Sequence, residues 1–136
     1  KSPIDQEIVR IGDGPERIQK RSFFEGVQVN MRPYPEVYDA YTRLAGNELK
    51  HPAWGMGAKD FLNSVVSGNS PMSPIYKMLP DEGRLAFIRK TVADYRKLAQ
   101  SQIMSDPKFK NFAAEVNHLQ AIHRNNKMPI LEGEQP

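Results

Sequence analysis

Cysteine is absent from all 136 residues, which excludes disulfide frameworks, thiolate zinc sites and cysteine nucleophiles. Any metal site is left to carboxylates and three histidines. Long apolar runs are missing too: none approaches the roughly 18 residues that a membrane span requires, so no membrane span is expected. Apolar residues make up only 39% of the chain, enough for one modest core and not comfortably for two. Neither sign of charge dominates, with 19 basic residues against 16 acids, and the net +3 is too small to announce a nucleic-acid binder by itself. Proline is plentiful by contrast, 11 of 136 residues where about 5% is usual, and this points to extended segments attached to the core. The chain begins Lys1-Ser2-Pro3, neither an initiator methionine nor a signal peptide, and is expected to be part of a longer polypeptide.

Residues 1–33 carry Pro3, Gly12, Gly14, Pro15, Gly26 and Pro33 without sustained helical periodicity, so they read as an extended arm. Its best local structure is a β-hairpin: 17–24 lead into Glu25-Gly26, after which Val27-Gln28-Val29-Asn30-Met31 alternates apolar and polar. Residues 34–125 read as a small, mainly α domain of four to five helices. Pro35 and Glu36 suit a first helical turn, and Val37, Tyr38, Tyr41, Leu44, Ala45 and Leu49 form an apolar stripe to about residue 50. Gly46 within it suggests close helix contact or an early helix end. A short helix from Ala58 to Ser67 closes at Gly68, and Ser73-Pro74 reads as N-cap and first turn of another. The longest periodic signal spans 81–105, and Asp106-Pro107 separates it from a last helix reaching about residue 125. Residues 126–136 read as a tail.

No catalytic pattern survives inspection, and neither an enzyme nor a cofactor is expected. His118 and His123 lie five apart, about 140° around a helix, a poor chelate where three or four residues are needed. Gly55-Met56-Gly57-Ala58-Lys59-Asp60 lacks the Walker spacing and sets Asp60 where a phosphate would sit, so it reads as a structural turn that lets Trp54 and Met56 reach the core. Gly-x-Ser-x-Gly and Ser-x-x-Lys are missing outside loops. The acids Glu36, Asp39, Asp81 and Glu82 occupy first turns of helices, where the helix dipole explains them. Two surfaces remain as candidates. Tyr34, Tyr38, Tyr41, Trp54 and Met56 have interface composition, although core packing accounts for most of them. Residues 84–127 hold nine basic side chains and three acids, the basic ones including Arg89, Lys90, Arg96, Lys97, Lys108 and Lys110, a candidate phosphate-contacting face for which solvated positions on amphipathic helices are the stronger reading.

The stretch from Tyr34 to Lys50, then Gly55 to Leu62, Val65 to Gly68 and Ser73, with Tyr95, Arg96 and Ala99 further on, resembles a helical module of large virion proteins of tailed bacteriophages. Those proteins include tape-measure-like and DNA-ejection proteins. The resemblance covers about 34–116 and implies a structural part located in the phage particle, contacting other virion proteins in multiple copies or as a homo-oligomer. It brings no catalytic residues. The expected function is therefore non-enzymatic assembly through helical and arm contacts. A nucleic-acid-contacting domain using the basic helices 84–127 is the alternative, and a cell-wall-degrading accessory is the third reading, against which the missing acid-base pair stands.

Overall fold

The computed structural model describes residues 1–12 and 16–127. Its elements run α1 (Pro3–Ile11), β1 (Arg21–Phe24), β2 (Val27–Asn30), α2 (Pro35–Arg43) continued by a π turn (Leu44–Glu48), α3 (Ala58–Ser67), α4 (Ser73–Met78), α5 (Asp81–Ser105), a 3₁₀ turn (Pro107–Phe109) and α6 (Lys110–Lys127). The mainly helical class and the small antiparallel hairpin are as expected. Asp13, Gly14, Pro15 and the tail expected from Met128 onward lie outside the described residues.

Two apolar clusters share one long helix. The larger joins the hairpin, α2, the C-terminal half of α5 and α6 through Phe24, Met31, Val37, Tyr41, Tyr95, Ile103 and Phe112. The smaller joins α1, α3, α4 and the N-terminal half of α5 through Ile4, Phe61, Val65, Tyr76 and Ile88. At about 1.5 Å per residue α5 is roughly 37 Å long, and its buried residues Ile88, Thr91, Tyr95, Ala99 and Ile103 step by three or four along one face. That single stripe serves both clusters.

Three local findings depart from the sequence reading. Residues 3–11 are a helix and not arm: Ser2 accepts from the Asp5 amide, Pro3 starts the first turn and Gly12 ends it in a left-handed cap. Ile4, Ile8 and Ile11 supply its apolar face, a rhythm too short to stand out between so many breakers. Ser73 is not an N-cap either. Its buried hydroxyl donates to the carbonyl of Val65 at 2.8 Å, tying α4 to α3. The last helix runs to Lys127, taking in residues 126 and 127 of the expected tail.

The hairpin turns at Glu25 and Gly26, both with positive φ, the backbone that a two-residue loop between twisted strands requires. Arg21 pairs with Asn30 and Phe24 with Val27, so Phe24, Val27 and Val29 face the core while Arg21, Phe23 and Gln28 point away. Strand β1 is shorter than expected, and 16–20 form an extended strap ahead of it.

Helix α2 changes pitch where Gly46 suggested an end. The close approach lies elsewhere, at Gly57: a Cβ there would sit 1.8 Å from the Asn47 carbonyl oxygen, whereas one on Gly46 would meet nothing within 4 Å. The π turn thereby aims Asn47 at the start of α3, where its side-chain oxygen accepts from the Asp60 amide at 2.9 Å. Asn47 caps a helix that its own Gly57 position cannot cap.

Candidate nucleic-acid interface

The strap 16–20 crosses the outer side of the larger cluster and is held at several points. Ile18 packs on that cluster, its carbonyl accepts from the Tyr38 hydroxyl at 3.2 Å, and Lys20 lies 5.8 Å over the Tyr38 ring. The Lys20 carbonyl accepts from the Met31 amide at 2.6 Å, and the Glu16 carbonyl accepts from the Arg96 guanidinium. Between strap, hairpin and α5 runs a groove of about 660 Å³ lined by Arg17, Arg21, Phe23, Gln28, Arg96, Lys97 and Gln100, among others. Smaller recesses continue it on either side. One adds Lys20, Arg32 and Tyr38, and the other adds Arg89. Across all three, seven arginines and lysines and one acid, Glu16, line the surface among the described residues.

Three of the groove's cations carry no local counter-charge: among the described residues Arg17, Arg21 and Lys97 make no ion pair. The Arg96 Nε is enclosed and has no hydrogen-bond partner among the described residues, a buried donor that costs about 1–3 kcal/mol to leave unmet. Gln100 spans the floor, donating to the Phe23 carbonyl at 2.6 Å and to the Tyr41 hydroxyl at 3.3 Å, and so fixes β1 against α5.

Of the six basic residues singled out in the sequence, Arg89, Arg96 and Lys97 reach this groove and three do not. Lys90 is paired with Asp94 at 2.9 Å on α5, while Lys108 covers the Phe109 ring and Lys110 opens α6, both at the far end of α5. The contribution of the arm, Arg17, Lys20, Arg21 and Arg32, is what sequence reading missed. They lie in a breaker-rich segment with no periodicity to say which surface they face, and only the path of the strap and hairpin brings them beside α5.

The aromatic candidates do not form one surface. Tyr41 is buried, with its ring 5.0 Å from Phe24. Tyr34 stacks edge-on against Phe112, and its hydroxyl donates to Glu115 at 2.7 Å. These tyrosines anchor α2 to the hairpin, strap and α6, not to the next helix. Trp54 is 43% exposed but covered on both faces, by His51 at 3.6 Å and Phe61 at 4.4 Å between centroids. Its indole N–H donates to the Tyr95 hydroxyl at 2.8 Å, which in turn donates to the Met56 carbonyl at 2.6 Å. Trp54 therefore staples the two clusters together, and Met56 packs against the smaller one.

The remaining polar constellation is buried. Glu7, 6% exposed, accepts from Arg10 at 2.7 Å, from Arg84 at 3.3 Å and from the Tyr76 hydroxyl. Burial pushes its carboxyl up, but the bonds from Arg10, Tyr76 and Arg84 outweigh that and hold it below the usual carboxylate range. The Tyr76 phenol is driven well above its ordinary value by burial and by its bond to Glu7. Arg84 also donates to the carbonyls of Lys77 and Leu79, closing α4. This network is fully engaged in joining α1, α4 and α5. His118 and His123 are exposed on α6, and no group of three or more histidine, aspartate or glutamate side chains among the described residues could hold a metal ion.

Fold and groove together define a small helical domain with a basic cleft beneath an N-terminal strap. In comparison with known proteins, no family model, no curated protein and no solved structure matches the chain.

Proposed function

We propose that this chain is a non-enzymatic contact domain of a tailed-phage particle, and that its basic groove engages the phosphate backbone of nucleic acid. The observation that carries this reading is the meeting of Arg17 and Arg21 from the arm with Arg96 and Lys97 from α5 in a groove to which the described residues bring a single acid, Glu16. Unpaired cations lining a cleft focus potential and recruit a polyanion, releasing its counterions. The resemblance of residues 34–116 to virion modules supplies the setting.

Fluorescence anisotropy with a labelled oligonucleotide, titrated from 50 to about 300 mM salt, tests the proposal. The logarithm of the association constant is expected to fall linearly with the logarithm of salt, by about 0.7–0.9 per phosphate neutralised. In the double variant Arg17→Glu/Lys97→Glu, both at exposed positions, that slope should flatten and affinity drop. Absence of salt-dependent binding by the wild-type chain would overturn the reading.

Assembly through protein contacts is the second reading, favoured by the outer face of α4. Met72, Ile75 and Met78 recur there at three-residue spacing and are all exposed, Met78 by 84%.

A further inference from the structure

We infer that the groove takes single-stranded rather than duplex nucleic acid, with Phe23 as the platform on which a base stacks; the inference rests on the phosphate-contacting reading above and names its substrate class. Phe23 is 63% exposed, belongs to neither apolar cluster and has no ring partner among the described residues. Its neighbour Phe24 is fully buried, so the hairpin's pleat deliberately separates one core ring from one surface ring.

The setting of that ring is what gives it a role. Phe23 lines the groove together with Arg21, two residues away on the same face of the hairpin, with Gln28 opposite it in register, and with Arg96 and Lys97 across the groove. The Gln100 amide holds the Phe23 carbonyl, so the strand carrying the ring is tied to α5 before any ligand arrives. A flat aromatic face beside cations and side-chain amides is the combination that binds single strands, whose unstacked bases expose their own π faces while the backbone follows the charge. A duplex keeps its bases stacked inside and would use only the charges. Trp54, the other exposed aromatic on the larger cluster's border, has both faces covered and offers no such platform.

The test compares a labelled oligothymidylate of about a dozen nucleotides with a duplex of equal length, for the wild-type chain, Phe23→Ala, Phe23→Leu and Phe23→Trp. The wild type should prefer the single strand. Phe23→Ala and Phe23→Leu should lose about five- to a hundredfold in single-strand affinity with duplex affinity unchanged, and Phe23→Trp should retain it. The wild-type chain has one tryptophan, so the additional indole of Phe23→Trp reports directly: stacking quenches its fluorescence beyond the change seen in the wild type. Circular dichroism confirms that each variant folds, as expected for a position this exposed. Equal wild-type affinity for strand and duplex, or single-strand affinity indifferent to Phe23→Ala, overturns the inference while leaving phosphate contact standing. Loss of all salt-dependent binding would instead sink the phosphate reading itself.

Discussion

At the scale of single residues, two glycines in one segment behave oppositely. Gly57 lies against the Asn47 carbonyl with no room for a methyl group, and Gly46 faces open space. Gly57→Ala must push the π turn away from α3 and weaken the bond from the Asp60 amide to Asn47, at a cost of about 2–4 kcal/mol. Gly46→Ala, in a backbone that alanine accepts, should change stability by less than about 1 kcal/mol. Thermal denaturation of the two variants checks the pair, and equal stabilities would contradict the packing account. Sequence pointed at Gly46 because a glycine inside a helical stripe stands out. The decisive contact is between residues ten positions apart, in a geometry that periodicity does not encode. Ser73 is a parallel case: Ser-Pro is a good cap in isolation, yet α4 already begins at Ser73, and its hydroxyl donates across to the Val65 carbonyl of α3.

At the scale of elements, α1 is the piece whose attachment depends most on charge. Its apolar grip is Ile4 with Ile8 and Ile11 beside it; Glu7 adds bonds to Tyr76 of α4 and Arg84 of α5, next to the Arg10–Asp81 pair and the bond from the Ile4 amide to Asn63. Glu7 has a folded-state pKa below its ordinary value of 4.5, so the unfolded chain takes up the proton first. The stability it contributes is present above about pH 4.5 and is lost as pH falls through the folded-state value. Glu7→Gln should therefore cost about 1–3 kcal/mol at pH 7, and the gap to wild type should close toward pH 3. Urea denaturation at both pH values measures this. A gap of equal size at pH 3 would mean that packing, not ionisation, makes Glu7 matter. None of this was legible in residues 1–12, where Ser2-Pro3 and Gly12 mark a helix only once one knows that α3 offers a face for Ile4. The helices with longer stripes, 58–67 and 81–105, were legible because their apolar rhythm persists over enough turns to identify a buried face without naming its partner.

At the scale of the whole molecule, the two clusters leave different surfaces. The larger cluster carries the strap and the basic groove, and the smaller exposes the α4 face of Met72, Ile75 and Met78. If assembly proceeds through that face in a second copy, sedimentation velocity should show concentration-dependent association that Ile75→Glu/Met78→Glu abolishes without altering the groove's salt slope. A wild-type chain that sediments as a monomer up to high concentration would remove self-association from the second reading.

The local patterns of this chain determined its class and most of its helices, because stripe, cap and breaker act within a few residues of one another. They determined the hairpin as well, since Glu25-Gly26 and the alternation after it are local signals. Only the tertiary structure decided that the arm folds back, that Arg17 and Arg21 meet Arg96 and Lys97, and that Phe23 stays outside while Phe24 goes in beside them. Like charges some 80 residues apart have no mutual attraction to announce themselves in sequence. They are brought together by Ile18 and Phe24 seeking the core, and their proximity is a by-product of apolar burial.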